Sequence, residues 1–191
     1  MSAQNATQQP FLFTSQEGNN LCRNILSQKL PYHPHDVQIE GICKLLDGVD
    51  TLAILHMSMG KTGFLSMYML VLLEILKHPH LYPSVVENFP KKPCMLVVLP
   101  TKYLEHQMVR TSHEVSGINK NHAQQADRMN KLALQNLVVN ADTIAAARLK
   151  GDDLWKQAGD EPHMIFMAPE QLISKDFGDL VKEGGTEMLY S

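Results

Sequence analysis

Short apolar runs alternate with stretches of helical spacing along most of this chain, and this alternation constrains the fold more than any other feature. Each run has the length of one buried strand, and each is followed by a segment whose apolar residues recur at helical intervals. Strands that alternate with helices form parallel sheets covered by the connecting helices. The pattern therefore predicts an α/β fold. The predicted strands are residues 51–55, 95–99, 137–139 and 163–168.

The helices are predicted from the spacing of apolar residues and from the cap residues expected at their ends. Asp36 is the expected N-cap of a helix that runs to residue 46, with Gly48 just past its end. Residues 1–20 are rich in Gln, Asn, Ser and Thr, which predicts a flexible leader before a domain at 21–191. A loop is predicted at 79–93. Further helices are predicted at 21–29, 62–77, 101–113 and 143–149, with a polar helical region at 120–135.

Composition restricts the protein class without selecting a function. Hydrophobic residues make up 44% of the chain, enough to form a core. The formal charge of −3 provides no general attraction for nucleic acid. The three cysteines are far apart in sequence, which predicts reduced thiols in an intracellular protein. The longest apolar stretch is too short to span a bilayer, so no membrane partner is expected.

The triplet Gly60, Lys61 and Thr62 carries the strongest chemical signal. It stands between a predicted strand and a predicted helix, where backbone N–H groups and the helix dipole attract an anion. Lys61 is expected to reach the phosphates of ATP and Thr62 to ligate Mg²⁺, with Gly63 adding freedom at the turn. The full phosphate-loop pattern has Gly five residues before Gly60, where this chain has Leu55. A surface turn is the alternative interpretation.

Gln38 precedes Lys61 by 23 positions, and around this pair the chain resembles the RecQ-like superfamily 2 DNA helicases. In that family a Gln just over twenty residues before the loop lysine reads adenine, and an amide can pair with the adenine edge. The resemblance implies that Tyr32 stacks on the base. It also implies that Ser58 and Met59 line the phosphates. Ser58 stands where the family has Gly, which predicts weaker nucleotide binding.

Two further segments resemble family elements that hold the DNA backbone. Pro100, Thr101, Lys102 and Gln107 follow the second predicted strand and resemble motif Ia. Pro169, Glu170 and Gln171 follow the fourth predicted strand and resemble motif Ib, with Gln171 where a basic residue is common. The stretch from Val139 to Thr143 resembles a further family segment weakly. For Thr101, the alternative is a helix cap alone.

The resemblance implies a P-loop NTPase, RecA-like fold and an ATP- and nucleic-acid-binding part of a 3′-to-5′ DNA helicase. It implies ATP and Mg²⁺ as cofactors, weak DNA binding, and a nuclear location. The family's Asp-Glu-x-His strand is not found up to Ser191, so we expect no catalytic residue in this chain and no ATP hydrolysis by the chain alone. A relic or binding-only protein is the alternative, followed by a small nucleotide kinase. The oligomeric state is left open.

Other chemistry-bearing residues have simpler interpretations. The histidine pairs at 33 and 35 and at 78 and 80 have no cysteine or carboxylate partner at zinc spacing, so loop histidines are expected. Met67, Met69 and Trp155 are expected to fill the core. Asp142 and Glu170 each follow a predicted strand, where capping or turn roles are expected.

Overall fold

A parallel β-sheet with helices on both faces organises the part of the chain that the structure describes. The computed structural model describes residues 11–54, 61–100, 134–159, 162–183 and 188–190. Its strands are β1 (Cys94–Val98), β2 (Asn136–Val139), β3 (Met164–Met167) and β4 (Met188–Tyr190), in the spatial order β2-β3-β1-β4. Every pairing between them is parallel. The predicted α/β architecture with a parallel sheet is thus confirmed, together with the predicted strands at 95–99, 137–139 and 163–168.

The helices of the described residues follow the predicted pattern closely. The helix predicted at 36–46 has those bounds, and those predicted at 62–77 and 143–149 are one to three residues longer at their ends. The loop predicted at 79–93 contains one short helix, which begins at a proline as helix starts commonly do. The helices are α1 (Gln16–Lys29), α2 (Asp36–Leu46), α3 (Lys61–Lys77), α4 (Pro83–Val86), α5 (Ala141–Lys150), α6 (Leu154–Gly159) and α7 (Lys175–Glu183). The predicted helix at 101–113 and most of the polar region at 120–135 lie outside the described residues.

Two hydrophobic cores lie on opposite faces of the sheet. Successive side chains of a strand point to opposite faces, so β1 and β3 contribute alternate residues to each core. Met95 and Phe166 belong to the core formed with α1, α2 and α3, whereas Leu96 and Ile165 belong to the core on the α5, α6 and α7 side. Burial on both faces explains why these strands are continuous apolar runs in the sequence.

The flexible leader predicted for residues 1–20 is wrong for residues 11–20, since α1 begins at Gln16. Ser15 caps this helix by accepting a hydrogen bond from the Gly18 N–H. The Phe13 side chain is only 3% exposed. The carboxylate of Asp47, at the end of α2, accepts hydrogen bonds from the backbone N–H groups of Phe13 (2.7 Å) and Thr14 (2.9 Å). This contact spans more than thirty residues, so no local composition rule detects it.

The buried strand predicted at residues 51–55 is absent over its described part, residues 51–54. Leu52 and Ile54 are each 90% exposed. β1 is paired on both sides, by β3 and by β4, so it has no free edge where residues 94–96 pair with β4. Thr51 and Ala53 instead line a cavity of about 490 Å³ beside β1. An apolar run alone does not make a strand, because the backbone also needs a neighbour with free hydrogen-bonding groups.

Candidate functional site

Helices α2 and α3 cross where Gly41 faces Phe64. A Cβ placed on Gly41 would stand 2.8 Å from Cε2 and 2.9 Å from Cζ of the Phe64 ring. Gln38 lies three residues before Gly41, and Lys61 lies three residues before Phe64. At a rise of about 1.5 Å per residue, each position is about 4.5 Å along its helix axis from the same contact. The crossing therefore brings the helix position of Gln38 close to the first turn of α3.

Gln38 is buried, with 3% of its surface exposed, and is therefore not a solvent-facing helix residue. Its Oε1 accepts a hydrogen bond of 2.9 Å from the His35 N–H and closes the first turn of α2. His35, not Asp36 as predicted, is the N-cap residue. Asp36 instead lies in the first turn and forms an ion pair of 2.7 Å with Arg23 of α1. The amide side chain thus holds a fixed orientation at the start of α2.

The remaining predicted nucleotide-binding residues are described only in part. The helix predicted at 62–77 is present as α3, and Gly63 in it is buried, whereas the strand predicted before the loop is not formed over residues 51–54. Tyr32 lies in the segment that leads to α2 and is 44% exposed, and its partial burial raises the pKa of its hydroxyl. Ser58, Met59 and Gly60, together with the side chains of Lys61 and Thr62, lie outside the described part of the chain.

The carboxyl ends of β1, β2 and β3 meet at one edge of the sheet, and the predicted nucleic-acid elements begin there. The Leu99 N–H donates to the Met167 carbonyl (3.0 Å), and the Ala168 N–H donates to the Val139 carbonyl (3.3 Å). These two bonds join the segments that lead to Pro100, Pro169 and Asn140. In open α/β sheets, ligands bind in the crevice outside this edge.

Asn140 organises this edge, a role that the sequence interpretation missed. It is 1% exposed, and its Oδ1 accepts hydrogen bonds of 3.0 Å from the N–H groups of Asp142 and Thr143. Thr143 returns the contact by accepting from the Asn140 N–H (2.9 Å). The signal was available, since Asn followed three residues later by a hydroxyl side chain marks a helix start. Asp142 lies in the first turn of α5, beside this cap.

The motif Ib-like residues form a short 3₁₀ turn, Pro169–Gln171, directly after β3. Pro169 and Glu170 are exposed, whereas Gln171 is half-buried. This turn therefore presents one carboxylate and no basic side chain to solvent at the sheet edge. The other predicted nucleic-acid residues at this edge, Thr101, Lys102 and Gln107, lie outside the described residues.

The histidine pairs are engaged in ordinary contacts where the structure describes them. Nε2 of His78 lies 3.2 Å from Oε1 of Glu74, and its ring packs edge-on against that of His80. Among the described residues, no group of three or more His, Cys, Asp or Glu side chains has the arrangement of a metal site. Met67 and Met69 are fully buried and Trp155 packs against the second core, as predicted.

In comparisons with known proteins, no family model matches this chain, and no curated protein is similar enough to count as a relative. Among the residues that the structure describes, no helix is both long enough and apolar enough to cross a membrane. A function for this chain is therefore inferred from the geometry of the sheet edge and of the α2–α3 crossing.

Proposed function

We propose that this chain is a RecA-like, P-loop domain that binds ATP with Mg²⁺ at the start of α3. Gly60, Lys61 and Thr62 hold the phosphates, and Gln38 reads the adenine. The observation that supports this most directly is the crossing at Gly41 and Phe64, which brings Gln38 within about one helical turn of the same contact as Lys61. Two residues that are 23 positions apart in sequence thus share one corner of the fold.

The orientation of Gln38 supports its assigned role. The Oε1 of this buried amide accepts from the His35 N–H, which holds the side chain in one orientation at the start of α2. Such a fixed amide suits the edge of adenine, which offers a donor and an acceptor side by side. Recognition of ATP over GTP is the expected consequence.

We further propose that DNA binds at the carboxyl edge of the sheet, as in the RecQ-like helicases that the sequence resembles. Support comes from the convergence at this edge of the segments after β1, β2 and β3. Thr101 and Lys102 would supply phosphate contacts, and the turn Pro169–Gln171 would shape the crevice beside them. Glu170 repels phosphate, so this binding is expected to be weak.

Titration of a fluorescent ATP analogue in the presence of Mg²⁺ tests the nucleotide site. Lys61→Ala removes the charge expected to contact the β- and γ-phosphates, so affinity should fall by at least tenfold. Lys77→Ala, at the opposite end of the same helix, is the matched control and should bind like the unmodified chain. Equal affinities for the two variants would place the nucleotide elsewhere or nowhere.

A further inference from the structure

Cys22 of α1 and Cys43 of α2 form a buried pair. Their Sγ atoms are 3.7 Å apart, and the two residues are 0% and 1% exposed. They are separated by 21 positions in sequence and come together only because α1 packs on α2. The remaining cysteine, Cys94, lies on β1 and is half-buried. All three are free thiols in this structure.

The two paired thiols differ in acidity. The hydrogen bond between them and the burial of Cys22 raise the pKa of Cys22. The same hydrogen bond lowers the pKa of Cys43, with help from the nearby Arg23 and against the effects of burial and of Asp47. Cys94 has no such partner, and burial raises its pKa to about 11. The thiolate is the reactive form of a cysteine, and we assign the first reaction step to Cys43.

We propose that Cys22 and Cys43 form a modification site, at which a peroxide oxidant joins the two thiols in a disulfide between α1 and α2. A disulfide requires sulfurs about 2.05 Å apart, so the two Sγ atoms must approach by about 1.7 Å. The site lies outside the proposed ATP and DNA sites, and its existence does not depend on them.

The chemistry balances with one peroxide molecule per pair. The Cys43 thiolate attacks one peroxide oxygen, the O–O bond breaks, and the departing hydroxide takes up a proton to give water and a sulfenic acid on Cys43. The Cys22 sulfur then attacks the sulfenic sulfur. The S–S bond forms, the S–O bond breaks, and hydroxide leaves with the Cys22 proton as a second water. The two sulfurs lose two electrons in all, and these reduce the peroxide.

Burial determines the rate and the persistence of this bond. Both sulfurs are shielded from solvent, so oxidant enters only when α1 opens locally from α2, and the reaction is slow. Once α1 closes again, the same shielding keeps reductants away from the disulfide. The bond closes a loop of about twenty residues that contains the link between the two helices, and it tethers the helix that carries Gln38.

The test uses the full chain treated with hydrogen peroxide, followed by thiol counting and non-reducing peptide mapping. We expect the free thiols to fall from three to one and a cross-linked peptide pair to contain Cys22 and Cys43. Cys94→Ser is the matched control and should form the same cross-link. A link to Cys94, or three thiols that stay reduced through a treatment that oxidises the same chain in urea, would overturn the proposal.

Thermal unfolding of the unmodified chain, before and after peroxide treatment, is a second test that does not depend on whether a cysteine variant folds. Closing a loop of this size restricts the unfolded chain, so peroxide treatment should raise Tm by roughly 5–10 °C, and a strong reductant should reverse the rise. Cys43→Ala should lose the cross-link and the reversible shift together. A peroxide-treated chain that carries the Cys22–Cys43 link without any rise in Tm would show that the bond strains the helix pair, contrary to the geometry inferred here.

Discussion

Gly41 of α2 and Phe64 of α3 lie so close that no side chain fits between them, because a Cβ on Gly41 would stand 2.8 Å from the Phe64 ring. A glycine inside a helix costs about 0.5–1 kcal/mol relative to alanine, so its presence here reflects the close approach of the two helices. The contact sets where α3 begins relative to Gln38. It therefore links the packing of the core to the proposed nucleotide site.

Gly41→Ala should lower the free energy of unfolding by about 1 kcal/mol, since the overpacking cost of about 1–3 kcal/mol exceeds the gain in helix propensity. Urea unfolding measures this change. Gly178→Ala is the matched control, because Gly178 lies in α7 with open space where a Cβ would be placed, and it should stabilise the chain slightly. Equal and favourable effects of both substitutions would contradict the close α2–α3 contact.

Gln38→Glu should separate the two roles of this side chain. The carboxylate can still accept from the His35 N–H at the start of α2, where the helix dipole favours a negative charge, but its burial opposes that charge, so Tm should fall modestly. It has no N–H to offer to adenine, so the affinity for the fluorescent ATP analogue should fall by about tenfold, the value of one lost hydrogen bond in a desolvated site. Gln38→Ala should lower both Tm and affinity. A Gln38→Glu variant that binds the analogue as well as the unmodified chain would exclude Gln38 from the site.

Glu74 should make the stability of the chain depend on pH. Burial acts to raise its pKa, but the hydrogen bond and charge of Lys29, with His78 and Lys77, outweigh burial and lower it. The Lys29–Glu74 pair measures 2.7 Å, and both side chains are about 15% exposed. A carboxyl whose pKa is lower in the folded state stabilises the fold above its unfolded pKa, and this contribution is lost as pH falls through the folded value.

Glu74→Gln should therefore destabilise the chain by about 1–3 kcal/mol at pH 7, between the values of surface and buried pairs, and by much less near pH 3. Urea unfolding at the two pH values gives this difference. Glu40→Gln, which breaks the exposed pair with Lys44, is the control and should cost no more than about 0.5 kcal/mol at either pH. If Glu74→Gln lowers the free energy of unfolding equally at both pH values, the loss comes from altered packing and not from the ion pair with Lys29.

Asp47→Ala should release the segment before α1. It removes the acceptor of the N–H groups of Phe13 and Thr14 and of the Thr14 hydroxyl, at a cost of about 1–3 kcal/mol. Limited proteolysis should then cut between residues 11 and 15, where the contacts with Asp47 should protect the unmodified chain. Asp50→Ala, on the exposed segment after α2, should leave the cutting pattern unchanged. Identical digestion of both variants would show that Phe13 holds the segment without Asp47.

DNA binding should be weak and should fade between 50 and 200 mM salt, since the few phosphate contacts release few counterions. Fluorescence anisotropy of a labelled single strand measures it. Lys102→Ala should reduce the slope of log affinity against log salt by about one unit. Lys91→Ala is the control, because Lys91 precedes β1 and lies at the opposite edge of the sheet. Equal slopes for the two variants would place DNA away from the carboxyl edge.

The sequence alone predicts the three strands and most of the helices near them. Residues 95–99, 137–139 and 164–168 are continuous apolar runs, and such runs become strands when both faces of a sheet are covered. The helix at 36–46 is equally local, since its apolar spacing and Gly48, which has a φ of +74°, mark its length and its end. The helix predicted at 62–77 is found as α3. Short-range preferences carry this information.

Tertiary contacts determine the conformation of segments whose partners are distant in the sequence. Residues 51–54 are apolar enough for a strand, yet β1 already pairs on both sides, so Leu52 and Ile54 remain exposed. Residues 11–15 look like a flexible leader, yet Asp47, more than thirty positions away, orders them. The reason is the same in both cases. A strand edge and a half-buried carboxylate act through contacts between distant segments, and local sequence preferences do not specify which segments will meet.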